Sequence, residues 1–135
     1  MAEKTTFFLD KVDAQQPVLN YAVALQQAAS SVGFDWSDIR GIIGKIHEET
    51  DEVAAELATA DPKRLQDEIG DLLFAITNLA RHLNVDPQAA LQHTNQKFCK
   101  RFTFIETALQ QQQKTLQNSS LADMDELWEA AKRQP

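Results

Sequence analysis

Of the acidic residues between Lys45 and Asp71, Glu48, Glu49, Glu52, Glu56, Glu68 and Asp71 have spacings that suit metal chemistry. Glu49 and Glu52 are three apart, as are Glu68 and Asp71, and residues three or four apart share one face of an α-helix. Like charges stacked in this way repel. Yet only Lys45 precedes the first group by one turn, and no further base follows until Lys63. The apolar residues Ile39, Ile42, Ile43, Ile46, Val53 and Leu57 mark the buried stripe of the first segment, and Glu49 falls inside it. In the second segment the stripe is Leu65, Ile69, Leu72, Ile76, Leu79 and Leu83, with Glu68 on it and Asp71 at its edge. Burying a bare carboxylate is expensive, so inward acids pair with bases or bind a metal. Two acids from each of two neighbouring helices make an oxygen-rich pocket suited to Mg²⁺, which favours carboxylate, water and phosphate oxygens.

The rest of the chain must place those acids. At 135 residues it reads as one domain, residues 1–135, with 43% hydrophobic residues. A formal net charge of -7 with no basic stripe argues against a nucleic-acid or anionic-membrane surface. The single cysteine, Cys99, excludes an internal disulfide, and the lack of a signal segment or membrane-length apolar run points to the cytoplasm.

Phe7, Phe8 and Leu9 form an apolar cluster expected to pack on the body without starting a helix. A first helix is predicted from about Pro17 to Val32, stopped by Gly33. The turn Gly33 to Asp38 follows, with Ser37 or Asp35 as the next N-cap. Phe34 and Trp36 within it fill the core or wall a ligand pocket. The second helix is predicted over about Asp38–Thr59. Asp61-Pro62 starts the third, to about Leu83, and Asp86-Pro87 starts the fourth, to about Leu116. Asp123 and Glu126 have capping-box spacing for a short last helix that carries Trp128. The short link at Ala60 makes the second and third helices an antiparallel hairpin, which sets Glu49 and Glu52 across from Glu68 and Asp71. The fold class is therefore all-α, an antiparallel four-helix-type bundle with a short C-terminal helix. Helix three carries Leu72, Leu73, Phe74, Ile76, Leu79, Ala80 and Leu83, more apolar surface than one bundle face needs. A homodimer or higher homo-oligomer through the bundle is the expectation.

Lys97 and Arg101, four apart beside Phe98 and Phe102, either pair with surface acids or contact phosphate. Lys45 and Arg64 flank the acids and have the same two readings, and Asn78 is placed to bond a phosphate or orient a carboxylate. A di-iron carboxylate bundle needs Glu-x-x-His pairs, and none of His47, His82 or His93 has Glu three residues earlier. Cys99 reads as a small packed cysteine.

The run Lys45 to Val53, followed by Glu68-Ile69-Gly70-Asp71-Leu72-Leu73-Phe74, resembles the EExxE and ExxD motifs of MazG-type nucleoside triphosphate pyrophosphohydrolases. The resemblance extends through Gly33-Phe34-Asp35-Trp36, Asn78-Leu79-Ala80-Arg81, Asn95 to Phe98, Arg101-Phe102 and Asp125-Glu126-Leu127-Trp128, so it covers about Phe8 to Arg133. It implies an all-α bundle with Mg²⁺, or Mn²⁺ in its place, held by Glu49, Glu52, Glu68 and Asp71. It also implies hydrolysis of NTPs or dNTPs to monophosphate and pyrophosphate, as nucleotide-pool housekeeping, with Lys97 and Arg101 on the phosphates. The chain resembles the C-terminal half of tandem members. Glu48 points about 100° round the helix from Glu49 and stands as a general base, a supporting group or a surface acid. Two other readings remain open at this point: a related dUTP or phosphoribosyl-ATP pyrophosphohydrolase, and a non-catalytic helical module whose acid face docks a basic partner.

Overall fold

A computed structural model describes residues 6–135, which contain five α-helices and no strand. A 3-10 turn, Phe8–Lys11, precedes α1 (Val18–Ser30), α2 (Ile39–Glu56), α3 (Pro62–His82), α4 (Pro87–Gln111) and α5 (Leu121–Lys132). The apolar cluster at the start therefore does begin a helical turn, contrary to expectation, and Phe7, Phe8 and Leu9 all remain exposed. The expectation of no signal segment falls in part on residues 1–5, outside the described residues. No described helix is long and apolar enough to cross a membrane.

The helix starts follow side-chain capping. Asp61 Oδ1 accepts from Lys63 N–H at 3.0 Å with Pro62 in the first turn, and Asp86 Oδ1 accepts from Gln88 N–H at 2.9 Å ahead of α4. Two caps differ from the sequence expectation. Asp38, not Ser37 or Asp35, caps α2 by accepting from Arg40 N–H at 2.9 Å. Ser120 caps α5 by accepting from Asp123 N–H at 3.1 Å, so Asp123 stands three residues inside the helix and does not cap it.

Three helices end alike, on a residue of positive φ followed by a backbone bond reaching back five residues. Gly33 (φ 89) sets Phe34 N–H on Ala29 C=O at 3.1 Å, and Asn84 (φ 58) sets Val85 N–H on Ala80 C=O at 2.8 Å. Gln113 (φ 59) sets Lys114 N–H on Leu109 C=O at 2.8 Å. This last closure ends α4 at Gln111, short of the predicted Leu116.

The chain divides into two compact units, one through Gln88 and one from Ala89. In the first, α2 and α3 run antiparallel. Glu49 meets Glu68 and Asp71, while Ile42, two turns earlier, shares a cleft with Ala75 and Asn78. Ile42 is fully buried. Helix α1 packs on α3, where buried Gln26 donates Nε2–H to Phe74 C=O (3.0 Å) and Thr77 Oγ1 (3.2 Å). The buried residues of α3 are Ala75, Thr77 and Asn78, whereas Ile69, Leu73, Phe74, Ile76 and Leu83 of its expected apolar surface stay exposed in this chain. Phe34 is 82% exposed, so it does not fill the core. In the second unit Ile105, Leu109 and Ala131 are buried. Phe98 stacks on Phe102 at 6.0 Å and tilts against Trp128 at 5.6 Å.

Candidate metal centre

Glu49 is 3% exposed because it lies on the buried stripe of α2, as its spacing requires. Lys45, one turn earlier, places Nζ 3.0 Å from Glu49 Oε1 and 3.5 Å from Glu48 Oε1. That contact raises the Lys45 ammonium above its ordinary pKa, the Glu49 carboxylate being the main cause. The other Glu49 oxygen, Oε2, is buried without a hydrogen-bond partner, and so is Glu68 Oε2. Orphaned buried carboxylate oxygens are costly. Glu49, Glu68 and Asp71 each offer one oxygen, and the three lie within 4.8 Å of one another.

Glu52 falls outside that triad but stands close enough to Glu68 to be the main cause of its raised pKa. The Glu68 carboxyl is pushed up to about 7, first by the adjacent Glu52 carboxyl, then by burial, then by the charges of Glu52, Glu49 and Asp71. Asp71 is raised by burial and by Asp67 and Glu49, against the opposing pull of Lys45. A cluster of crowded acids with two buried oxygens left unpartnered has the donor set of a hard divalent cation.

A cleft of about 290 Å³ opens beside the triad, lined by Trp36, Lys45, Glu49, Asp71, Phe74 and Asn78 among others. The Trp36 ring packs against Gly41 of α2, which has no side chain; a Cβ there would meet Trp36 Cε3 at 3.0 Å. Trp36 is 45% exposed at the edge of this cleft, so it does not fill the core. Glu48 is exposed and outside the triad. Arg64 is exposed and 3.9 Å from Asp61. Lys97 and Arg101 belong to the second unit, where with Lys100, Phe104 and Ala131 they line a separate cleft of about 230 Å³. The Arg101 guanidinium stands 5.5 Å over the Trp128 ring.

Sequence reasoning missed the cluster built on Asp35. Its carboxylate accepts from Arg81 Nη2, from Ser30 Oγ at 2.7 Å and from Trp36 N–H at 2.7 Å, with His82 Nε2 at 2.9 Å. The Arg81 bond, with help from the others, holds the Asp35 carboxyl well below the usual carboxylate range. Asp35 and Arg81 are 46 residues apart, and no periodicity links them.

This architecture defines a class: all-α proteins with a carboxylate cluster between two antiparallel helices. Residues 37–103 match the MazG nucleotide pyrophosphohydrolase domain, and the chain belongs to the MazG family. It is 39% identical over 130 residues to the nucleoside triphosphate pyrophosphohydrolase/pyrophosphatase MazG of Thermotoga maritima, covering 96% of this chain and 50% of that protein. The same identity holds over 128 residues to the nucleoside triphosphate pyrophosphohydrolase of Escherichia coli K12, covering 93% and 49%. The uncharacterized protein YabN of Bacillus subtilis is 46% identical over 68 residues, 50% of this chain and 14% of that one. The chain spans about half the length of the first two relatives.

Proposed function

We propose that the chain hydrolyses nucleoside triphosphates, NTP or dNTP, at the α–β phosphate bond, giving monophosphate and pyrophosphate, with Mg²⁺ as cofactor. The observation that carries this reading is the triad of Glu49, Glu68 and Asp71, with two buried oxygens that no protein group satisfies. Glu52, adjacent to Glu68, completes the set of acids that would hold the ion. Mn²⁺ suits the same oxygen donors. When bound, the metal supplies charge neutralisation and Lewis acidity at the phosphates.

The chain's own groups do the rest. Lys45 fixes one oxygen of Glu49 and so orients the other toward the triad. Glu48, exposed beside Lys45 and outside the triad, would serve as general base or as a supporting group. Water adds to the α-phosphorus, the bridging oxygen leaves with the β-phosphorus, and pyrophosphate departs. The apolar side chains exposed along α3 support a homodimer or higher assembly in which the bundle is completed between copies.

Turnover of a panel of NTPs and dNTPs, with and without Mg²⁺, tests the reading, with pyrophosphate resolved from orthophosphate. Monophosphate plus pyrophosphate, lost on chelation, is the expected result. Orthophosphate alone moves the cut to the terminal phosphate. No turnover and no Mg²⁺ binding returns the chain to the interaction module.

A further inference from the structure

The nucleotide reading leaves one wall of the α2–α3 cleft without a role. Asn78 lines that cleft and is buried. Its Oδ1 accepts from Arg81 Nε at 3.0 Å. A guanidinium has donors only, so this bond decides the orientation of the amide: the oxygen is taken up by Arg81, and the NH₂ is the end left for the cleft. Among the described residues no protein acceptor takes that NH₂.

Arg81 is itself held. Its side chain is 10% exposed and its Nη2 donates to Asp35, whose carboxylate also accepts from Ser30 Oγ and Trp36 N–H. One carboxylate thus anchors two walls of the cleft, the loop that carries Trp36 and, through Arg81, the amide of Asn78. Asn78 stands seven residues beyond Asp71 on α3, about 10 Å along the helix axis. Asn78 thus lines the same cleft as Trp36, about two helical turns from the acids that would face the phosphates.

We infer that Asn78 donates a hydrogen bond to an acceptor oxygen on the nucleoside part of the substrate, and that Arg81 and Asp35 are positioning residues that hold its amide with the donor turned into the cleft. This rests on the nucleotide reading above. A nucleoside carries such an oxygen as a keto group on the base or as the 2′-hydroxyl of the sugar.

The test is kcat and KM for ITP, ATP and dATP with Mg²⁺, on the native chain, Asn78→Leu, Arg81→Met, Arg81→Lys and the Asn78→Leu/Arg81→Met pair, with a thermal melt of each. Absence of turnover by the native chain defeats the functional reading itself and is seen before any variant is compared. With turnover, Asn78→Leu and Arg81→Met each raise KM for the favoured nucleotide about five- to tenfold, the worth of one hydrogen bond to a fixed donor, with kcat unchanged. The pair is no worse than Asn78→Leu alone, because Arg81 acts through Asn78. Loss of an ITP-over-ATP preference assigns the oxygen to the base, and loss of an ATP-over-dATP preference assigns it to the sugar. If Arg81→Met does not fold, Arg81→Lys decides. Its ammonium keeps the charge against Asp35 but lacks the fork that reaches both partners, so the same KM rise at a native melting temperature is expected. Additive KM losses in the pair, an equal loss on all three nucleotides, or a native KM in Arg81→Lys overturns the inference.

Discussion

Lys45 Nζ stands 3.0 Å from Glu49 Oε1, while Oε2 of the same carboxylate is buried with no partner among the described residues. The base therefore neutralises Glu49 without satisfying it, in a carboxylate clustered with Glu68 and Asp71. Lys45→Met leaves that buried carboxylate with no counter-charge. The expected outcome is a melting temperature a few degrees lower in chelator, restored by adding Mg²⁺ or by Glu49→Gln in the same chain. Glu49→Gln alone should melt as the native chain does and lose Mg²⁺ binding by calorimetry. Its loss of turnover should exceed the roughly 10–100-fold cost of removing an outer support. An unfolded Glu49→Gln chain would instead make the Lys45 pair a structural ion pair.

The raised carboxyl of Glu68 gives the apo protein a pH dependence of definite sign. Glu68 is raised in the fold, to about 7, by its neighbour Glu52 and by the surrounding acids. Its contribution to stability is therefore complete below the ordinary carboxylate range and is lost as pH rises through about 7. In chelator the melting temperature should fall between about pH 4.5 and pH 7 and level off above that, and Glu68→Gln, which needs no added proton, should flatten that fall. Mg²⁺ takes the place of the proton, so binding near neutrality should release one. Calorimetry in buffers of different ionisation enthalpy measures it. A melt that rises over that window in chelator would remove the raised Glu68 carboxyl.

Asp35 gives the opposite sign. Its carboxyl is held below the usual range chiefly by Arg81, with Ser30, His82 and the Trp36 amide adding to it. A depressed acid stabilises above its unfolded pKa, near about 3.9, and the contribution is lost as pH falls toward the folded value. Asp35→Asn should cost about 1–2 kcal/mol near neutrality, the low side of a charge-assisted bond because the loop is partly solvated. The difference from the native chain should shrink below about pH 4. Urea unfolding at the two pH values checks both statements; an equal difference at both would disconnect Asp35 from Arg81.

How far the sequence reached depended on whether a feature was local. Asp61-Pro62, Gly33 and Asn84 were legible as helix ends because each acts on backbone within a few residues. Gln113 takes the same left-handed role without a residue type that announces it. Three acceptors crowd the stretch from Asp35 to Asp38, and which one caps α2 was decided by a tertiary bond: Asp35 is drawn off to Arg81, leaving the cap to Asp38. Glu49 was legible because a charge on an apolar stripe is conspicuous, and its 3% exposure bears that out. The separation of Glu52 from the triad was not, since i and i+3 spacing places two acids on one face without fixing which of them reaches across. The buried Gln26, bonded to Phe74 and Thr77, lay hidden in an alanine-rich helix whose stripe it shares.

The contact of Trp36 with α2 predicts opposite outcomes for two glycines one turn apart. A glycine inside a helix is worth about 0.5–1 kcal/mol less than alanine. At Gly44 an added Cβ meets nothing within 4 Å, so Gly44→Ala should recover that amount and raise the melting temperature by about 2–4 °C. At Gly41 the same Cβ arrives 3.0 Å from Trp36 Cε3 and 3.3 Å from Cζ3. The ring must lift from the helix, which opposes the propensity gain and moves a wall of the cleft. Gly41→Ala should therefore gain less than Gly44→Ala or lose stability. In a Trp128→Phe background, where Trp36 is the one remaining tryptophan, its emission should shift to the red as the indole becomes more solvated. Equal stabilisation by the two alanines with unchanged emission would mean that Trp36 does not rest on α2 in solution, and the cleft would lose its aromatic wall.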